Sequence, residues 1–279
     1  MQFDLKKMVL PKGSEFFYIE TGDPLGIPLI LLHGLGDSCR TFEALFPHFP
    51  SRIRAIAFTL RGHDGIDLPD ATYRVRDFEA DLLAFMNGMA LQKAFILGAS
   101  SGGFIARNFA ARHPKRVHGL VLLGAPSTLD DKPDVVKTQE STLALLKDPI
   151  SMDFIKSFTD GLLVKPVPSG FLEQMYSESQ KVPARVWKKT SEALLKEEFP
   201  GILAQTKAPA LVICGGKDTI ASRTDQEKLA RAIPNSRLTV FPQLGHLLYW
   251  EDPKNVAKEI SSFIEQVWSG PEGAKFEYE

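Results

Sequence analysis

The chain has 279 residues, with 33 Lys and Arg against 34 Asp and Glu and a formal net charge of −1 at pH 7. A near-neutral chain offers no net attraction to phosphate backbones or anionic lipid, which argues against nucleic acid and membrane as partners. An apolar fraction of 44% with 24% charged residues excludes long disorder, and two cysteines exclude a disulfide framework or a four-ligand zinc site. The N-terminal MQFDLKKMVLPKG has three lysines but no apolar stretch of signal-peptide length, and no apolar run approaches a membrane span. These features predict a cytoplasmic protein of one large domain, or one domain with an insertion, its Cys39 and Cys214 reduced and buried.

Short β-branched or apolar runs recur at residues 16–20, 29–32, 54–60, 94–97, 120–123, 210–213 and 238–241. The run at 29–32 lies between Pro28 and Gly34 and is apolar throughout, as a strand covered on both faces must be. Helical patterns lie between the runs. Residues 75–89 place Phe78, Leu82, Phe85, Met86 and Met89 at helical spacing, with Gly88 near the end. Residues 102–112 form a second helix, stopped by His113-Pro114. A third spans 223–233 before Pro234. A fourth spans 253–267, with Pro253 just inside its start behind Glu251-Asp252. Strand–helix alternation requires crossover connections, and so predicts an α/β fold with a mostly parallel central sheet and helices on both faces.

One stretch breaks the rhythm. From 127 to 207 no strand is evident, only short helical patterns punctuated by Pro133, Pro149, Pro166, Pro168 and Pro183. That is too long for a structureless loop. The expectation is a core made of 1–126 and 208–279, with 127–207 inserted as a helical cap over the C-terminal edge of the sheet, where ligands sit in open α/β folds.

The strongest local signal is Gly98-Ala99-Ser100-Ser101-Gly102, a G-x-S-x-G pattern between a strand and a helix. A serine there sits on a sharp turn whose flanking chain passes so close that side chains at Gly98 and Gly102 would clash. A phosphate-binding turn is the competing explanation, but Phe104 follows the glycines where a basic residue would be needed. A serine hydroxyl is a weak nucleophile without a base in reach and a group to orient that base. Asp218 follows the 210–213 strand and His246 follows the 238–241 strand, so acid and base leave strand C-terminal ends in the order serine, acid, histidine. The predicted catalytic residues are Ser100, Asp218 and His246. The six histidines show no metal-ligand spacing and no dinucleotide fingerprint follows a strand, so neither metal nor cofactor is expected.

With these residues in place, the chain from about 16 to 268 resembles the α/β-hydrolase superfamily, in its capped, serine-nucleophile branch. His33-Gly34 is similar to the family's HG turn, Arg61-Gly62-His63 to its RGHG element, and Glu251 and Pro253 to the E-x-P after the base. The resemblance implies an oxyanion hole made of the backbone amides of Leu35 and Ser101, and a structural role for His33 under the turn. Two positions depart from the family pattern. Thr59 replaces an acid and Asp64 a glycine in D-x-R-G-x-G, which affects the local loop rather than the triad. Asp64 and Asp67 are read as solvated loop carboxylates. Small residues at Ala99 and Ser101 leave room beside Ser100. Some relatives take the acid from the loop after the preceding strand, where Asp130 and Asp131 compete with Asp218.

A serine nucleophile excludes the aspartate-dependent branches and leaves acyl transfer to water. The rate should then rise with pH as His246 loses its proton. The segment 127–207 carries Leu143, Leu145, Leu146, Phe154, Phe158, Phe171, Met175, Tyr176 and Trp187. Part of this set is its own core and part is expected to line an apolar pocket over Ser100. A lidded site suits a small-molecule substrate rather than a polymer. Three functions stay open: a hydrolase of carboxylic esters or lactones, a carbon–carbon bond hydrolase of ring-cleavage products (favoured by Arg185 and Trp187, disfavoured by Ala99), and a ligand receptor signalling through its cap. The sequence does not fix the substrate or the oligomeric state.

Overall fold

The computed structural model describes residues 3–10, 15–65, 71–197 and 201–268. In chain order, β1 (Lys6–Val9), β2 (Glu15–Thr21), β3 (Ile27–Leu32) and β4 (Ile53–Phe58) precede α1 (Val75–Gly88), β5 (Ala94–Ala99), α2 (Gly102–Arg112) and β6 (Val117–Leu123). After a helical segment come β7 (Ala210–Gly215), α7 (Arg223–Ala232), β8 (Ser236–Phe241), α8 (Leu248–Glu251) and α9 (Pro253–Val267). The described strands form one sheet in the order β1-β2-β4-β3-β5-β6-β7-β8. β2 pairs antiparallel with β1 and β4, and every other pairing is parallel.

Both faces are covered, and the side-chain alternation of the strands divides the core accordingly. On β3 and β5, Ile30, Leu32, Ala94 and Ile96 pack with Phe78, Leu82 and Phe85 of α1 and with Phe104 and Phe109 of α2. Leu29, Leu31, Phe95 and Leu97 face the other way, onto Phe42, Phe46 and the α9 residues Val256, Ile260 and Phe263. Because β5 is buried along its whole length, the turn at its end is held rigidly.

The helices match the sequence periodicity closely: α1 ends at Gly88, and α2 and α9 have the expected bounds. β1 was not evident in the sequence, because KKMV is a half-polar edge strand with three of its four residues exposed. The single-turn α8 and the 3₁₀ turns Cys39–Phe42 and Phe46–His48 were also not evident, being too short for a periodic signal.

Between β6 and β7 the described residues form helices and turns and no strand: α3 (Pro133–Ser141), α4 (Met152–Asp160), α5 (Ser169–Lys181) and α6 (Ala184–Leu195). Proline starts or precedes three of them, fixing a backbone dihedral where a helix N–H has no partner. Asp252 caps α9 by accepting from the Asn255 amide at 3.3 Å. Cys39 and Cys214 are buried free thiols, and burial pushes both up to about 12. No described helix is long and apolar enough to cross a membrane.

Candidate active site

Ser100 stands between β5 and α2 with φ at +50°, in the left-handed region that non-glycine residues seldom occupy. Its neighbours make that turn possible. A Cβ at Gly98 would lie 2.4 Å from the Gly102 carbonyl oxygen, and one at Gly102 would lie 2.4 Å from that of Leu32. The clash expected at both glycines is therefore present as backbone against backbone. The Ser100 amide donates to the Leu123 carbonyl at 2.9 Å, tying the turn to β6.

The parallel strands end on one edge of the sheet, and the three predicted residues converge there. His246 Nε2 lies 2.8 Å from Ser100 Oγ. His246 Nδ1 lies 2.8 Å from Asp218 Oδ2. The acid accepts at Oδ2, so the proton belongs on Nδ1, and Nε2 is left to accept from the serine hydroxyl. Asp218 Oδ1 in turn accepts the amides of Ile220 and Ala221, each at 2.8 Å. The carboxylate is thus fixed at both oxygens, and both side chains are nearly or fully buried. The rival acids are not partners of this histidine: Asp130 is exposed, and Asp131 pairs with Lys132 at 2.8 Å.

The HG turn is built on a buried histidine. The Leu60 amide donates to His33 Nε2 at 2.9 Å, and Nδ1 then donates to the Gly34 carbonyl at 2.8 Å. Full burial and the neighbouring His63 hold the His33 imidazole well below its ordinary value. Burial alone takes His63 to about 4. Both rings are neutral framework. They hold Gly34 so close to the strand-exit turn that a Cβ there would lie 3.2 Å from the Ser100 Cβ. Among the described residues, the amides of Leu35 and Ser101 donate to no protein acceptor. Both residues line the space in front of Ser100.

That space is a cavity of about 880 Å³ between the sheet edge and the helical segment. Ser100 and His246 form part of its wall, with Leu143, Phe154, Phe158 and Trp187 opposite. Met175 and Tyr176 are packed in the protein core instead, Phe171 sits against Trp250, and Leu145 is exposed. Arg185 does not line the cavity; its guanidinium lies over Tyr73, 5.6 Å from the ring centroid. Asp64 is not part of the lining, and Asp67 lies outside the described residues. Asp37, three residues beyond Gly34, does line it, and sequence reading missed this acid. Burial, with the charge of Glu178, pushes Asp37 up to about 7. No group of His, Cys, Asp and Glu among the described residues is arranged to hold a metal ion.

A second feature was only half visible in the sequence. Glu251 accepts the Gly245 amide at 2.8 Å and the Val164 amide at 2.6 Å. The His246 amide donates to the Leu162 carbonyl at 3.2 Å. The loop carrying the histidine is thus fastened to the α4–α5 connection of the helical segment.

The sheet order and the strand-exit serine define a hydrolase fold, and the chain belongs to the alpha/beta hydrolase fold family, which matches residues 27–253. Its relatives include the "AB hydrolase superfamily protein YisY" of Bacillus subtilis (strain 168), 28% identical over 257 residues that cover 85% of this chain and 91% of that one. The "Pimeloyl-[acyl-carrier protein] methyl ester esterase" of Neisseria meningitidis serogroup B is 28% identical over 246 residues, 84% of this chain and 92% of the other. Among solved structures, a thermophilic esterase from Thermogutta terrifontis superposes with a TM-score of 0.80 at 22% identity, covering 95% of this chain and 99% of its own. By family the chain is a hydrolase.

Proposed function

We propose that this protein hydrolyses small or medium carboxylic esters, lactones included, through an acyl-enzyme on Ser100, with residues 127–207 acting as a cap. The observation that carries this reading is the unbroken line from Ser100 Oγ to His246 Nε2 and from His246 Nδ1 to Asp218, at 2.8 Å each.

Ser100 Oγ adds to the substrate carbonyl carbon while His246 Nε2 takes the hydroxyl proton. Asp218, anchored by two amides, keeps the imidazole in the reactive tautomer and stabilises the cation that forms. The carbonyl oxygen gains negative charge and is received by the free amides of Leu35 and Ser101, donors that need no reorganisation as the charge develops. Collapse breaks the bond to the alcohol oxygen, which leaves with the proton from His246. Water then adds to the acyl carbon as His246 removes its proton; the bond to Ser100 Oγ breaks, His246 returns that proton to Oγ, and the acid departs. A cavity of about 880 Å³ encloses a small molecule and has no room for a folded polymer. The esterase named among the relatives supports the ester class.

The test is turnover of a panel of short p-nitrophenyl esters and lactones, with acyl-enzyme detection by mass spectrometry. Steady hydrolysis that vanishes in Ser100→Ala, together with an acyl mass on the peptide containing residue 100, is the expected outcome. Acylation with no release of acid would instead mark a receptor, and sinks the hydrolase reading.

A further inference from the structure

Gln139 on α3 is 6% exposed and lines the cavity in front of Ser100. Its Oε1 accepts from the Ser191 hydroxyl of α6. That hydroxyl has one proton, and the Lys188 carbonyl, 3.1 Å away, is the farther of its two acceptors. The carbonyl side of the amide is thereby committed and its NH₂ is left over. Nε2 donates to no acceptor among the described residues, yet it is not sealed as the indole nitrogen of Trp187 is: it keeps accessible surface. The two helices give the direction. α3 turns Val135 and Gln139 to the cavity, with Leu143 following one turn later, and turns Lys137 and Glu140 to solvent. α6 turns Trp187, Ser191 and Leu194 to the same cavity. The open side of the nitrogen is therefore the cavity side.

The Trp187 ring covers Gly36, where a Cβ would stand 1.9 Å from Cη2, and Gly36 directly follows Leu35. Ser191, which holds the Gln139 amide, lies one turn of α6 beyond Trp187, about 6 Å along the helix. The amides of Leu35 and Ser101 serve the reacting carbonyl, so a substrate seated at Ser100 meets Gln139 with its chain and not with its ester group. A hydrocarbon chain there strips water from the NH₂ and returns nothing, whereas an oxygen replaces the lost hydrogen bond. The wall beside the amide is Leu143, Trp187 and Leu194, which leaves an anionic acceptor desolvated and unpaired and suits a neutral one. We propose that Gln139 is a specificity residue whose amide N–H donates to a neutral oxygen in the substrate's chain. The site thereby selects esters that carry a keto, ether or hydroxyl oxygen away from the scissile bond over plain hydrocarbon esters. The ester chemistry in this statement rests on the proposed function; the donor itself does not.

The experiment uses Ser100→Ala protein, so that binding is read without turnover. Two ligand series serve, one for each side of the ester. The first is phenyl octanoate and its 4-, 5-, 6- and 7-oxo derivatives; the second is octyl benzoate with the keto group at the same carbons of the octyl chain. Calorimetry gives the affinity of each keto ester relative to its parent hydrocarbon ester. Adding Gln139→Met, which keeps the length of the side chain and removes the donor, should lower that ratio about five- to tenfold for at least one keto position, the scale of one neutral hydrogen bond. A crystal structure of the Ser100→Ala protein with that ester should place the ketone oxygen within about 3.2 Å of Gln139 Nε2. This second readout needs no folded Gln139→Met protein. Ratios that Gln139→Met leaves unchanged in both series, a ketone oxygen bound away from Gln139, or no binding of any keto ester overturns the proposal. Turnover of the same esters by protein with Ser100 intact is scored separately. Its failure with the binding preference preserved would sink the hydrolase reading and leave the donor standing.

Discussion

At Ser100 a left-handed backbone holds the hydroxyl above the sheet edge, a conformation costing about 1–3 kcal/mol that the surrounding chain must sustain. Gly98 is part of what sustains it. Gly98→Ala forces backbone atoms apart at 2.4 Å, so both the melting temperature and the ester turnover should fall, the latter by at least tenfold. A fully active Gly98→Ala protein would mean the turn is looser than its contacts imply. Asp218 permits a sharper test. Asparagine preserves the shape and still offers an oxygen to the Ile220 and Ala221 amides. Its NH₂, however, then faces His246 Nδ1 and favours the tautomer with the proton on Nε2, which is useless as a base. Asp218→Asn should lower kcat by about three to four orders of magnitude with KM nearly unchanged, while Asp130→Asn stays at the parent rate. The reverse pattern in steady-state kinetics would move the acid to the 130–131 loop.

Among the elements, the loop between β8 and α8 bears the histidine, and its position depends on the helical segment as much as on the sheet. Glu251 grips Gly245 with one oxygen and Val164 with the other. Glu251→Gln keeps one acceptor and should retain most activity. Glu251→Ala leaves two amides without their carboxylate and lets the histidine loop drift. Its kcat should fall about tenfold or more while the fold persists, as judged by circular dichroism and turnover together. Equal kcat values in the two variants would show that the tie is dispensable. This link also marks the limit of what the sequence discloses. Strand exits at 97 and 213 were legible because buried parallel strands are continuous apolar runs, and the exit at 241 because the half-buried edge strand still carries Leu238, Val240 and Phe241; together they placed Ser100, Asp218 and His246 on one edge. The bound of α2 was legible because Pro114 stops it. The grip of Glu251 on Val164 was not, since it joins positions 87 residues apart through a backbone amide that has no side-chain signature. Asp37 and the unpartnered amide nitrogen of Gln139 were hidden for a related reason: burial and the lack of a partner are properties of the packed molecule. β1 escaped because an exposed edge strand has no apolar period.

For the molecule as a whole, two sets of buried groups pull stability in opposite directions with pH. His33 and His63 are neutral in the fold, held low by burial. Their unfolded forms bind protons below about 6.5, so they erode stability as pH falls from there toward 4. Asp37 is raised from 3.8 to about 7. Between those values the folded state keeps a proton that the unfolded chain has released, so Asp37 erodes stability as pH rises through that window, and its full penalty remains above it. An asparagine in its place has no such window and still offers an oxygen to the Ser38 amide, which Asp37 now accepts at 2.9 Å. Asp37→Asn should therefore raise the melting temperature at pH 8, at about 2–4 °C per kcal/mol for a domain of this size, and the gain should shrink to nothing at pH 4. Thermal melts of parent and variant at the two pH values decide it. A gain that is the same at both, or larger at pH 4, would mean that Asp37 carries its charge in the folded protein.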